Sequence, residues 1–210
     1  MFENLKGKTI SFEGGEGTGK STLIKNLVSY FEKNAVLDIL ATREPGGVNI
    51  SEQIREIIVS KENKEICPET EALLFAASRA QFMNQVIKPA LKEEKTILID
   101  RFVDSSLAYQ GVGRKLGVEN IMSINKMATS NWLPDLTIVL DIDPEVGLKR
   151  ISDNNRTTNR LDEEDLSFYN DIREAYLDFA RMYPERIIVI DASKTPEEVL
   201  EVVLKILELI

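Results

Sequence analysis

The string Gly14-Gly15-Glu16-Gly17-Thr18-Gly19-Lys20-Ser21 constrains this chain more than any other feature, because it satisfies the spacing G-x-x-x-x-G-K-[ST] without a gap. An apolar run, Thr9 to Glu13, leads in. A segment beginning near Lys20 leads out, with Leu23, Leu27 and Phe31 on one helical face and Ile24 and Val28 beside them. In that setting successive backbone amides and the positive end of a helix converge on one point, and the glycines let the backbone wrap closely around phosphate oxygens. Lys20 is placed to bridge the terminal phosphates of a nucleoside triphosphate, and Ser21 to offer its hydroxyl to Mg²⁺. Residues 14–22, Thr22 included, are the expected cradle for a nucleoside triphosphate.

The rest of the chain repeats the strand-then-helix pattern. Residues 36–42, Thr96–Asp100, Leu136–Asp141 and Ile187–Asp191 are short runs rich in Ile, Val or Leu. Thr195-Pro196-Glu197-Glu198 reads as an N-cap, an N1 proline and a capping-box glutamate, and Asp143-Pro144-Glu145 opens another helix the same way. The expected fold is α/β: a doubly wound five-stranded parallel sheet of the P-loop NTPase type, flanked by helices, forming one domain over residues 1–210. Such sheets bind ligands at the carboxyl ends of their strands.

Composition narrows the chemistry. There is no histidine and one cysteine, Cys67, which removes Ser-His-Asp hydrolases, Cys-His proteases and His-ligated zinc enzymes. Catalysis is left to positioning and electrostatics. Twenty-six basic against 35 acidic residues give a net charge of −9, which speaks against nucleic acid or an anionic membrane as partner. The longest uncharged stretch, residues 105–113, is far short of the ~18 residues of a membrane span, and residues 1–8 hold no apolar signal region. A cytoplasmic location is expected.

A phosphate loop does not say where the phosphate goes. The strings Asn-Lys-x-Asp and Asp-x-x-Gly of a GTPase switch are absent, and a motion-coupled ATPase needs extra domains or partner surfaces that this length scarcely accommodates. A small-molecule kinase is favoured by elimination.

The acceptor side offers candidates. Thr42-Arg43-Glu44-Pro45-Gly46-Gly47 follows the second strand, bringing Arg43 and Arg55 toward the phosphate-loop rim; Arg55 fits either an anion site or a solvated helix face. Asp100 ends the third strand in the position of a magnesium-side carboxylate, and Arg101 beside it fits either a phosphate clamp or a surface salt bridge to Asp100 or Asp104. Phe75 and Arg79 share a helix face, suited to stacking on a base while the guanidinium takes a carbonyl. Arg150, Arg156 and Arg160 sit on or beside a polar connection without apolar periodicity; residues 150–162 suit a lid that excludes water, or an ordinary solvated loop. A kinase for another nucleoside monophosphate or for a nucleoside, and a regulator that binds a nucleotide without an acceptor, stay as alternatives.

Together, Phe12-Glu13-Gly14 with Gly19-Lys20-Ser21-Thr22, Thr42-Arg43-Glu44-Pro45-Gly46-Gly47, Leu74-Phe75 with Arg79, and Asp100-Arg101-Phe102 running to Ser106-Leu107-Ala108-Tyr109-Gln110-Gly111 resemble the bacterial thymidylate kinase family, over nearly the whole chain. The resemblance implies transfer of the γ-phosphoryl of ATP to thymidine 5′-monophosphate (dTMP), with Mg²⁺, in dTTP biosynthesis by a homodimer. It implies that Phe75 stacks on thymine, that Arg79, Ser106 and Gln110 bind the base, and that Tyr109 lies near the sugar and disfavours a 2′-hydroxyl. Arg55 and Arg101 then hold the acceptor phosphate, with Glu13 and Glu44 near it and the metal, and Ser21 and Asp100 on the Mg²⁺ side. Because the phosphate loop reads Glu16-Gly17 rather than carrying an arginine, the lid-arginine type is implied, with Arg156 catalytic beside Lys20, Arg101 and Glu13, and with Arg150 and Arg160 on ATP.

Overall fold

The computed structural model describes residues 2–34, 37–153 and 159–209. The apolar runs form five parallel strands: β1 (Thr9–Glu13), β2 (Ile39–Arg43), β3 (Thr96–Asp100), β4 (Leu136–Asp141) and β5 (Ile187–Asp191), in the order β2-β3-β1-β4-β5. The second strand begins later and ends later than expected. Arg43 pairs in register with Asp100, and the Glu44 amide continues the ladder by donating to the Asp100 carbonyl at 3.0 Å. Expected residue 36 lies outside the described residues.

Alternation along the strands divides the core into two layers. Ile10, Phe12, Leu98 and Ile138 pack with α1 (Lys20–Asn34) and with Val199, Val203 and Leu207 of the final helix, Pro196–Leu209. Ile97, Ile99 and Val139 point the other way, into Phe82, Ile121, Ile172 and Tyr176. These come from α3 (Pro68–Phe82), α6 (Val118–Thr129) and α8 (Leu166–Met182), which follow α2 (Asn49–Val59), α4 (Lys88–Lys92), α5 (Val103–Ser106) and α7 (Pro144–Asp153) in chain order; the final helix is α9. The capping box forms as read: Thr195 N–H and Oγ1 donate to Glu198 Oε2, and the Glu198 amide donates back to Thr195 Oγ1.

On the second face β1 is polar. Thr9, Ser11 and Glu13 are fully buried there. Ser11 shares a hydrogen bond with Thr137, which donates to Asp104, itself forked by Arg186 at 2.7 and 2.8 Å. Burying Ser11, Thr137 and Asp104 is tolerable because each finds a partner, whereas the Thr9 hydroxyl is buried without one. β1 and its neighbour β3 send their crossovers in opposite directions, to β2 and to β4, so the crevice at their carboxyl ends is the topological switch point.

Candidate active site

A cavity of about 860 Å³ opens at that crevice, within the range of small-molecule sites. Its floor is the phosphate loop. Gly17 has φ +68° and lies so close to α7 that an added Cβ would fall 2.0 Å from the Gly147 carbonyl oxygen; a Cβ on Gly147 would fall 2.2 Å from that of Glu16. The loop is thus seated backbone to backbone, a contact that sequence reading missed because Gly147 sits inside a helical pattern. Lys20 folds into the loop, its Nζ donating to Gly14 O, Gly15 O and Thr18 Oγ1 at 3.1, 2.7 and 3.2 Å. Burial, joined by repulsion from Arg101, lowers its ammonium pKa to about 8. Ser21 Oγ donates to Asp100 Oδ2 at 2.6 Å, joining the start of α1 to the end of β3.

Arg101 stands above this pair with φ +66°, a left-handed backbone held by its amide's bond to Phe12 O. Its partner is neither Asp100 nor Asp104. The guanidinium donates to Glu16 Oε1 at 2.7 Å, to Gly14 O and to Ser105 Oγ, and lies 5.0 Å over the Tyr109 ring, whose hydroxyl reaches the same Glu16 oxygen. Glu16, read from sequence only as part of the phosphate loop, thus carries a carboxylate into the cavity.

Glu13 does not reach it. Its carboxylate, 0% exposed, accepts from the Phe102 amide at 2.7 Å, Ser105 Oγ at 2.5 Å and Tyr176 OH at 3.1 Å. Burial first, then repulsion from Asp104, push its pKa up to about 7. The expectation of Glu13 as a catalytic and acceptor-binding group is corrected: residue 13 lies on the buried side of β1, so it holds the Arg101–Ser105 turn from beneath, and Glu16 occupies the cavity instead.

One end of the cavity is walled by α2, α3 and the segment after α5. Arg79 is 2% exposed. Its Nε donates to Glu44 Oε2 at 2.6 Å, Nη1 to Ser106 Oγ and Asn125 Oδ1, and Nη2 to Phe102 O. Glu44 is pushed up to about 7 by burial despite Arg79, and its second oxygen is buried without a hydrogen-bond partner. Phe75, half-buried, Arg79, Ser106, Tyr109 and Gln110 all line this end. A π-helical stretch, Leu107–Gly113, carries Tyr109 and Gln110 there; its widened turn had no sequence signal. Arg55 is half-buried, donates to Pro45 O at 3.2 Å and lines the cavity, so it is not merely a solvated face, whereas Arg43 is forked onto Glu52.

At the other end lie Arg150, Ser193, Lys194 and Thr195, with Arg150 Nη1 donating to Ala192 O at 3.1 Å. Arg156 lies outside the described residues. Arg160, expected on ATP, donates here from Nη2 to Glu71 Oε2 at 2.6 Å and from Nε to Ile58 O at 2.8 Å, beside the end walled by α2 and α3. A carboxylate as buried as Glu71 needs cationic partners. Glu71, and Arg114 which also binds it, were missed in sequence, where both look like ordinary helix-surface charges.

The family model described as Thymidylate kinase matches residues 12–203. The chain is 52% identical over 196 residues to a thymidylate kinase of Geobacillus sp., covering 93% of each chain. With that of Clostridium novyi it shares 49% over 197 residues, covering 93% of this chain and 96% of the other. The solved thymidylate kinase of Ehrlichia chaffeensis superposes with a TM-score of 0.79 at 30% identity, over 95% of this chain and 98% of that one.

Proposed function

The chain belongs to the thymidylate kinase family and transfers the γ-phosphoryl group of ATP to dTMP, giving dTDP and ADP; from that premise we propose how its residues divide the work. An oxygen of the dTMP phosphate forms a bond to the γ-phosphorus as the bond to the β,γ-bridging oxygen breaks and ADP departs. That acceptor oxygen is already anionic, so no strong general base is needed.

The ATP phosphates lie along residues 14–22, with Lys20 on the β- and γ-phosphates and the adenosine toward Arg150 and Thr195. The dTMP base stacks on Phe75 and meets Arg79, Ser106 and Gln110, while its phosphate is held by Arg55 and Arg101, with Glu44 alongside. Tyr109 packs at the sugar. Arg101 carries this reading: one guanidinium within 3.1 Å of the phosphate-loop carbonyl Gly14 O, yet stacked on Tyr109 at the acceptor end, spans donor and acceptor. It stabilises charge that grows between them, which raises turnover more than substrate binding.

Ser21 and Asp100 offer two hard oxygens at 2.6 Å from each other, which suits Mg²⁺ held otherwise by phosphates and water. When bound, the metal neutralises charge on the transferring phosphates. Residues 150–162 act as the lid, Arg156 supplying a further cation to the γ-phosphoryl group.

The reading includes one kinase domain, a cytoplasmic enzyme and a homodimer. Leu73 on α3 and Met127 on α6, exposed by 56% and 80% on adjoining helices, support self-association. No helix among the described residues is long and apolar enough to cross a membrane. The division of the cleft is tested by Phe75→Ala: the KM for dTMP should rise more than tenfold with the KM for ATP nearly unchanged, and the reverse pattern would overturn it.

A further inference from the structure

Glu71 is a buried carboxylate to which the mechanism above gives no task. It is 1% exposed, lies in the first turn of α3 and lines the cavity at its acceptor end. Three donors converge on it. Gln110 Nε2 and Arg114 Nε approach Oε1 at 3.0 and 3.2 Å, and Arg160 Nη2 approaches Oε2 at 2.6 Å. Both arginines are anchored elsewhere as well, Arg114 to Glu164 at 2.7 Å and Arg160 to the Ile58 carbonyl.

We propose that Glu71 is a specificity-determining positioning residue: by accepting from the Gln110 amide nitrogen, it turns the amide oxygen toward the acceptor base and so selects a pyrimidine whose N3 carries hydrogen. This rests on the reading that Gln110 faces the base. A free glutamine amide presents its donor or its acceptor by a half-turn, and so discriminates poorly. An ionised carboxylate can only accept, so the amide has one orientation against it. Burial alone pushes the Glu71 carboxyl up, but Arg114, Arg160 and Gln110 outweigh that and hold it below the ordinary carboxylate range. With its nitrogen committed, Gln110 has its oxygen left for the cavity it lines.

Arg79 completes the pattern. Four of its five N–H groups are taken by Glu44, Ser106, Asn125 and the Phe102 carbonyl, leaving one on Nη2. A donor from Arg79 beside an acceptor from Gln110 complements a carbonyl next to a ring N–H, the edge of thymine or uracil. Cytosine presents an amino group and a bare nitrogen, the inverse pattern, so both contacts fail together.

The test measures dissociation constants and steady-state rates with dTMP and dCMP for the parent, Glu71→Gln and Gln110→Leu. In Glu71→Gln the neighbour of Gln110 can both donate and accept, so the amide is free to invert. Affinity for dTMP should fall about tenfold, the dTMP-to-dCMP affinity ratio should fall at least tenfold, and the loss should appear in KM rather than kcat. Equal losses for the two nucleotides, with the ratio preserved, would overturn the proposal. A preserved ratio in Gln110→Leu would instead overturn the placement of Gln110 at the base. If Glu71→Gln does not fold, Glu71→Asp decides: this shorter carboxylate still dictates the orientation from farther away, so KM for dTMP should rise while the ratio stays within about threefold of the parent. An unchanged KM, or a collapsed ratio, would contradict it.

Discussion

Arg101 and Glu16 form an ion pair of 2.7 Å between the end of β3 and the phosphate loop, and Tyr109 closes it by touching both. The pair keeps the guanidinium aimed across the cleft before either substrate contributes a contact. Arg101→Lys keeps a charge but loses the fork and the stacking face. It should lower kcat by about 10²–10³ in a coupled ADP assay, with dTMP affinity changed far less; a kcat within threefold of the parent would exclude Arg101 from the transferring phosphoryl group.

Arg79 and Glu44 are both nearly inaccessible, at 3% and 2% side-chain exposure. Glu44→Ala leaves the guanidinium buried with its Nε unpaired, which costs about 3 kcal/mol. Chemical unfolding should report that loss, and calorimetry should show weaker dTMP binding in the folded fraction, since the Arg79 N–H aimed at the base is no longer fixed.

Gly147→Ala should act at a distance from substrate. A Cβ there meets the Glu16 carbonyl oxygen at 2.2 Å, and the backbone must move. Overpacking of this kind costs about 1–3 kcal/mol. Because the moving segment is the phosphate loop, the KM for ATP should rise with the fall in melting temperature.

Glu13 gives the chain a pH dependence with a definite sign. Its pKa of about 7 in the fold exceeds the ordinary 4.5, so the folded state binds the proton more tightly. The stabilisation is complete below pH 4.5 and is lost as pH rises through about 7, beyond which it is constant. Glu13→Gln should therefore flatten the decline in melting temperature between pH 5 and 8; parallel curves for variant and parent would show that Glu13 does not titrate in that window.

Much of this arrangement was legible in the sequence because it depends on local pattern. Four strands fall on the residues expected, since each apolar run is bounded by charge or turn residues, and α1 begins at Lys20 where the loop spacing puts it. Phe75 with Arg79 could be named because their spacing puts both on one helix face, whereas Tyr109 and Gln110 were named only through the family resemblance. What could not be read depends on which side of a strand or turn a side chain leaves. Glu13 and Glu16 are three residues apart in one motif, yet one is sealed under the sheet and the other faces the cleft. Glu71, Arg114 and Arg160 are separated by 43 and 46 residues and meet only in three dimensions. The π-helical turn at Leu107–Gly113, which packs against α6 and α8, has no local sequence pattern that would announce it.

The most direct measurement is ADP formation from ATP and Mg²⁺ by the purified protein against a panel of acceptors: dTMP, dUMP, dCMP, dAMP and dGMP, with thymidine as a control. The account predicts turnover dominated by dTMP, less with dUMP, and little with dCMP, the purine nucleotides or the unphosphorylated nucleoside. Comparable kcat/KM for dCMP or a purine monophosphate would contradict the base site built on Phe75, Arg79 and Gln110.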